Sequence, residues 1–212
     1  MLLLKVCGMR DTANITELIK LQPDFMGIIF HEKSPRNVLE IPSVEIPSSI
    51  KKVGVFVDKD IPNIIEKVKD FKLDGIQLHG SESPNFIKEL LNNSLLEEGL
   101  REVSLIKAFN ISEDFNFEQL QAYEPFCDYF LFDAFGKKAG GNGITFNWEL
   151  LQKYNGQTPF LLSGGINGDM ASKLKQIDHP KFVGVDINSG FEIKPALKDI
   201  DKIKKFKKEL VK

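Results

Sequence analysis

The chain has 212 residues, 42% of them hydrophobic and 27% charged, which is enough apolar material for one closed core. The formal net charge of −2 lacks the basic excess that nucleic-acid binding requires, and no apolar run is long enough to span a membrane. Two cysteines argue against a disulfide framework and fit a reducing compartment. We therefore expect a cytoplasmic protein that binds neither nucleic acid nor membrane.

Short β-rich apolar runs alternate with helical patterns along the chain. The predicted strands are Leu2–Cys7, Phe25–Phe30, Lys52–Val57, Gly75–Leu78, Glu102–Ala108, Tyr129–Asp133, Pro159–Ser163 and Phe182–Ile187. Strands separated by helices indicate βαβ units and a parallel sheet, and about eight such units favour closure into a barrel. No linker divides the chain, so the sequence predicts an α/β protein with a (β/α)₈ TIM barrel as its single domain, residues 1–212.

The helical patterns between these strands are less regular than the strands. They lie at Asp11–Leu21, Ile61–Asp70, Ser83–Leu91, Phe117–Tyr123, Asn147–Tyr154 and Asp169–Ile177. Two prolines leave residues 41–50 only a short or irregular helix. Apolar residues at helical spacing predict a last amphipathic helix with a solvated lysine face within Lys198–Lys212.

Polar and glycine residues gather directly after the strands, which in a parallel barrel all end on the face that carries the active site. Alternation in the first strand places Lys5 and Cys7 inside the barrel, where the Lys5 cation would favour a Cys7 thiolate. The alternative is an inert buried cysteine. Asp133 ends the sixth strand, either as a general acid at the rim of an apolar pocket or as a helix cap or ion-paired residue.

Glycine-bearing loops follow the last strands, where this fold repeatedly binds phosphate through backbone N–H groups. The residues predicted to form this phosphate cradle are Gly141, Gly143, Ser163, Gly164, Gly165, Asp186, Asn188, Ser189 and Gly190. Arg36, in the loop after the second strand, either binds a carboxylate through two N–H groups or is an ordinary surface arginine. His79 ends the fourth strand as a proton carrier or a wall of the pocket. No metal-ligand spacing or nucleotide fingerprint is present, so no metal or cofactor is expected.

Short motifs along the chain resemble, in the same order, those of the phosphoribosylanthranilate isomerase family of tryptophan biosynthesis. They are Lys5–Gly8, Gly27–Phe30, Ser34–Arg36, Val53–Val57, Gln77–Gly80, Phe132–Asp133, Gly140–Gly143, Phe146–Trp148, Leu162–Ile166 and Val185–Glu192. The resemblance implies an Amadori rearrangement of N-(5-phosphoribosyl)anthranilate to 1-(2-carboxyphenylamino)-1-deoxyribulose 5-phosphate. It further implies a monofunctional form that is a monomer or a homodimer.

Residue by residue, the resemblance implies that Asp133 is the general acid, that Cys7 is the general base, and that Arg36 binds the anthranilate carboxylate. The sequence departs from the family pattern at Asn147, where Asp is frequent, and at Asn188, where Ser is usual.

Other phosphate-binding barrels are the main alternatives, but the sequence lacks parts that they need. A ribulose-phosphate epimerase needs several metal-binding histidines at strand ends, and only His79 is so placed. An indole-glycerol-phosphate synthase needs a strand-end glutamate to partner a lysine such as Lys5, and none is present. A non-catalytic binding barrel has no need of Cys7 and Asp133.

Overall fold

The computed structural model describes residues 1–40, 42–95, 103–133 and 148–211. Eight parallel strands lie side by side in sequence order, and the eighth pairs with the first, which confirms the predicted (β/α)₈ barrel. Every predicted strand is present within two residues of its expected ends. The strands are β1 (Leu3–Val6), β2 (Phe25–Ile29), β3 (Lys51–Phe56), β4 (Gly75–Leu78), β5 (Ser104–Asn110), β6 (Tyr129–Asp133), β7 (Phe160–Ser163) and β8 (Phe182–Ile187).

Side chains of the strands alternate between the barrel interior and the surrounding helices. Outward residues such as Leu4, Val6 and Met26 pack in the large core beneath the helices. Inward residues form two buried layers in the interior of the barrel. The deeper layer is Phe25, Val53, Ile106, Ala108, Leu131 and Leu161, and the layer at the strand ends is Cys7, Ile29 and Val55.

Five α-helices pack outside the described part of the barrel. They are α1 (Thr12–Ile19), α2 (Ile61–Phe71), α3 (Pro84–Leu95), α4 (Ala171–Leu174) and α5 (Ile200–Val211). The carboxylates of Asp11 and Asp60 cap α1 and α2 by accepting backbone N–H groups. The predicted amphipathic last helix is confirmed, since Ile203, Phe206 and Leu210 of α5 are buried.

Most connections after β5 are 3₁₀-helices, where the sequence pattern indicated only helix. They span Phe117–Ala122, Glu124–Phe126, Trp148–Lys153 and Gly168–Met170. Two of them begin at an asparagine, Asn116 or Asn167, whose side chain accepts the N–H two residues further on and closes a tight local turn. Residues 42–50 form turns without any helix, because Pro42 and Pro47 remove backbone donors.

A small hairpin follows β8 and lies beside the open end of the barrel. After a 3₁₀ turn at Ser189–Phe191, the strands β9 (Glu192–Lys194) and β10 (Leu197–Lys198) pair antiparallel. Lys198 was predicted to begin a solvated lysine face, and that prediction is wrong. Its side chain is fully buried, and Asn14 of α1 bonds both its backbone N–H and its carbonyl.

Candidate active site

A cavity of about 170 Å³ opens at the carboxyl ends of the strands. It collects ten of the predicted site residues: Cys7, His79, Asp133, Ser163, Gly164, Gly165, Asp186, Asn188, Ser189 and Gly190. Sequence reasoning did not select Gln77, Ile29, Val55 and Ile166, which also line it. The strand parity that selected Cys7 also marks Ile29 and Val55 as inward-facing.

Cys7 lies at the floor of the cavity, directly after β1. Its backbone N–H donates to the Ile187 carbonyl of β8 at 2.9 Å, which fixes it across the barrel seam. A side chain on Gly27 would lie 2.7 Å from the Cys7 Sγ, so the glycine in β2 provides the room for the thiol. The thiol therefore points into the barrel, as alternation predicted.

The charges around Cys7 are already paired within the protein. Lys5 is fully buried and donates to Asp186 Oδ2 at 2.9 Å. Burial by itself lowers the pKa of Lys5, but Asp186 and Cys7 outweigh it and leave that pKa raised. Burial raises the pKa of the Cys7 thiol, although Lys5 and Lys198 oppose the shift. The pKa of Cys7 is therefore raised and not lowered as the neighbouring Lys5 had suggested, because desolvation outweighs the cations.

We expect the Cys7 thiol to titrate above the value of about 8.5 that is usual for cysteine. A raised pKa keeps the thiol protonated as the pH rises through neutrality. The measurement is the pH dependence of ultraviolet thiolate absorbance in a Cys127→Ala variant, where Cys7 is the remaining cysteine. The variant is needed because burial also raises the pKa of Cys127, to about 12, so that both thiols of the wild type would titrate at high pH. A midpoint at or below about 8.5 would contradict the expectation.

Asp133 ends β6 on another side of the same cavity and faces His79 of the β4 end. His79 Nε2 lies 3.4 Å from Asp133 Oδ2, and Gln77 Nε2 donates to His79 Nδ1 at 2.9 Å. With Nδ1 accepting, the proton of a neutral His79 is on Nε2 and points at Asp133. The other oxygen of Asp133, Oδ1, is buried and has no hydrogen-bond partner among the residues that the structure describes.

Two glycine loops, after β7 and β8, form a further part of the cavity wall. Gly164 and Gly165 follow β7 with φ of +86° and +67°, left-handed conformations that strain other residues. Glycines in such a turn let a phosphate approach the backbone N–H groups closely. A Cβ at Gly165 would meet nothing within 4 Å, so this wall is open to a ligand. Ser189 and Gly190 approach from the loop after β8. Gly141, Gly143 and Asn147 lie outside the described residues.

Arg36 lies next to the cavity, outside its lining. Its Nε and Nη2 donate to both oxygens of Glu192 at 2.6 to 3.1 Å. Lys198 Nζ donates to the same carboxylate at 2.6 Å and to Asn188 Oδ1 at 2.7 Å. Burial raises the pKa of Glu192, but the bonds from Arg36 and Lys198 outweigh it and leave that pKa lowered. Sequence reasoning assigned no role in the site to Glu192, which only closes the last family motif, or to Lys198.

Elsewhere the described residues offer no competing site. A larger groove of about 490 Å³ lies between two 3₁₀-helices, Phe117–Ala122 and Trp148–Lys153, and none of the predicted site residues lines it. Within residues 1–40, 42–95, 103–133 and 148–211, no cluster of His, Cys, Asp and Glu side chains has the grouping of a metal site. Over the same ranges, every helix is too short or too polar to cross a bilayer.

The fold and the site define a (β/α)₈ barrel of the class that carries its active site at the carboxyl ends of the strands. Residues 4–209 match the family model for N-(5′-phosphoribosyl)anthranilate (PRA) isomerase. The chain is 45% identical to the N-(5′-phosphoribosyl)anthranilate isomerase of Parabacteroides distasonis, over 99% of this chain and 94% of the relative. It is 42% identical to that of Phocaeicola vulgatus, over 93% and 92%. The chain therefore belongs to the N-(5′-phosphoribosyl)anthranilate isomerase family, the isomerases of tryptophan biosynthesis.

Solved structures agree with this assignment. The phosphoribosyl anthranilate isomerase of Thermotoga maritima superposes with a TM-score of 0.82 at 28% identity, over 100% of this chain and 99% of that one. A phosphoribosyl anthranilate isomerase in complex with reduced 1-(o-carboxyphenylamino)-1-deoxyribulose 5-phosphate superposes with a TM-score of 0.78 at 27% identity, over the same shares of the two chains.

Proposed function

We propose that this protein converts N-(5-phosphoribosyl)anthranilate to 1-(2-carboxyphenylamino)-1-deoxyribulose 5-phosphate, with Asp133 as general acid and Cys7 as general base. The observation that carries the proposal is that Cys7 of the β1 end and Asp133 of the β6 end line one cavity together with two glycine loops. Strands one and six lie well apart around a ring of eight, so the two groups can act on a sugar from different sides.

Asp133 would act first. In its protonated form it gives a proton to the furanose ring oxygen, the C1′–O bond breaks, and the anthranilate nitrogen supplies the electron pair that makes a protonated Schiff base at C1′. The position of Asp133 in the cavity wall, next to His79, supports this role. The His79 Nε2–H beside Oδ2 would then stabilise the carboxylate that forms.

Cys7 would act second. Its thiolate removes the C2′ proton, the C2′–H electrons form a C1′–C2′ double bond, and the Schiff base is discharged to an enolamine. Tautomerisation of the enolamine gives the aminoketose. A thiol with a raised pKa is a small fraction thiolate but a strong base once ionised, and the neighbouring Lys5 and Lys198 favour the ionised form.

The two anionic ends of the substrate would hold it between acid and base. The phosphate would lie on the backbone N–H groups of the loops after β7 and β8, with Gly141 and Gly143 completing the cradle. The aromatic carboxylate would pair with Arg36. Fixing both ends converts the chemistry into a unimolecular step with aligned groups.

We further propose that residues 1–212 act as one cytoplasmic barrel domain, without a cofactor, as a monomer or a homodimer. A dimeric phosphoribosylanthranilate isomerase is known from Thermotoga maritima, whose monomerised form is 25% identical to this chain.

The test is turnover of freshly generated phosphoribosylanthranilate, followed by loss of anthranilate-type fluorescence. Loss well above the spontaneous rate, with the aminoketose identified as the product by mass and by chemical reduction, is the expected result. Folded protein without such turnover would contradict the proposal and favour another phosphosugar or a binding-only barrel.

A further inference from the structure

Glu192 accepts hydrogen bonds from two cations that approach it from different parts of the chain. Arg36, 156 residues away, uses Nε and Nη2, and Lys198 uses Nζ. The Glu192 and Lys198 side chains are 5% and 0% exposed, whereas Arg36 is 18% exposed. The carboxylate is thus a buried anchor, and the guanidinium is the part of the cluster that reaches the surface of the site.

The hydrogen bonds leave one edge of the guanidinium free. Among the residues that the structure describes, Arg36 Nη1 has no partner, while Nε and Nη2 are both held by Glu192. Because a guanidinium is rigid and planar, fixing one edge also fixes the direction of the remaining N–H groups.

The charges of the cluster do not cancel. Arg36 and Lys198 carry two positive charges against the single negative charge of Glu192, and Asn188 adds only a neutral amide oxygen. The cluster therefore keeps a net charge of +1 in a mostly buried place. A ligand carboxylate would complete the neutralisation.

The cluster lies against the backbone beside Cys7. A Cβ on Gly8 would lie 2.7 Å from Arg36 Cδ, 2.9 Å from Asn188 Oδ1 and 3.4 Å from Lys198 Nζ. Gly8 also has φ of +76°, so a glycine there both turns the chain and lets all three side chains approach. The free edge of Arg36 is consequently fixed relative to the residue that we propose as the base.

We propose that Glu192, held by Lys198, is a positioning residue that aims Arg36 at the aromatic carboxylate of the substrate. This inference rests on the proposed function, which gives Arg36 that ligand. Glu192 touches no reacting atom, and its effect is on the recognition of one end of the substrate. The Lys198 bond prevents Glu192 from neutralising Arg36 completely, so that Arg36 keeps charge for the ligand.

The experiment compares two ligands that differ in one group. One is the product analogue, reduced 1-(o-carboxyphenylamino)-1-deoxyribulose 5-phosphate. The other is the same molecule with a phenyl ring that lacks the carboxylate. Their dissociation constants are measured by calorimetry for wild type, Glu192→Asp and Glu192→Gln. Asp keeps the charge but is one methylene shorter, whereas Gln keeps the shape and raises the cluster to +2.

A positioning role predicts that both variants lose affinity for the carboxylate-bearing ligand by roughly 10- to 100-fold, the range for one charge-assisted hydrogen-bonding interaction. Binding of the carboxylate-free ligand should stay within about 3-fold, well below a tenfold step. In turnover, KM should rise while kcat changes little, because the lost contact is made equally in ground and transition states. Glu66→Gln, an exposed Glu paired with Lys67 on α2, is the matched control and should behave as wild type.

Three other outcomes would overturn the inference. If Glu192 only balances charge, Glu192→Asp binds as wild type and Glu192→Gln binds the carboxylate-bearing ligand more tightly. If Glu192 only supports the fold, both ligands weaken together and the Tm falls. If wild type itself does not prefer the carboxylate-bearing ligand, the assignment of Arg36 in the proposed function fails, and the inference fails with it.

Discussion

Replacement of Asp133 by Asn is expected to abolish detectable turnover while leaving the binding of a product analogue nearly intact. Asn has the size of Asp but no proton that it can give to the ring oxygen, and general acid catalysis contributes about 10²–10⁴-fold. The expected fall in kcat is therefore at least of that order. It is measured by the anthranilate fluorescence assay, alongside calorimetric binding of the reduced product analogue.

Asp70→Asn is the matched control for this prediction. Asp70 lies on the outer helix α2 and is about half exposed, so the same chemical change there should leave kcat unaltered. Near-normal turnover in Asp133→Asn would remove Asp133 from the acid role. Loss of both turnover and analogue binding would instead mean that Asp133 mainly holds the ligand.

Replacement of Cys7 by Ala is expected to lower kcat by about 10²–10⁴-fold, the contribution of a positioned general base. The fall would follow from the loss of the group that we propose as the base for the C2′ proton. Cys7→Ser should fall nearly as far, because a serine hydroxyl fills the same space but ionises only at far higher pH. The measurement is turnover relative to the spontaneous rate. The Tm of each variant is compared with that of the wild type, to show that the substitution leaves the barrel folded.

The second cysteine offers a control within the same chain. Cys127 precedes β6, packs against the large core and does not line the cavity. Cys127→Ala should therefore keep wild-type turnover. Turnover in Cys7→Ala that matched Cys127→Ala would assign the base to another residue.

Most of what could be predicted about the site came from the alternation of inward and outward side chains along single strands. The parity of Lys5 and Cys7 in β1, and of Leu131 and Asp133 in β6, is a local property, and it placed these side chains inside the barrel correctly. The position of polar residues after the strands likewise predicted the open face. These inferences need only the period of a strand and the direction of a parallel sheet.

Properties that depend on distant residues were not predictable in this way. The pKa of Cys7 depends on how completely the thiol is buried, and the sequence does not give that burial. Lys198 stands at the start of a lysine-rich segment, yet its side chain is buried. Its backbone N–H donates to Asn14 and its Nζ donates to Glu192. The partner of Arg36 is 156 residues away, so no local pattern could name it. The 3₁₀-helices could not be distinguished from α-helices in the sequence, because the two patterns are alike over so few residues.

The contacts that complete the site join the two ends of the chain. Lys5 and Asp186 are 181 positions apart, and Asn14 and Lys198 are 184 apart. Contacts of such high sequence separation form only after the entropy of closing a very long loop has been lost, which makes them late events in folding. During synthesis, Cys7 leaves the ribosome among the first residues, but Lys5 has no counter-ion and Arg36 no anchor until Asp186 and Glu192, in about the last eighth of the chain, have followed. The ion pair of Lys5 and the anchor of Arg36 therefore exist only in a chain whose last strand and following hairpin have been made and have met the first strand.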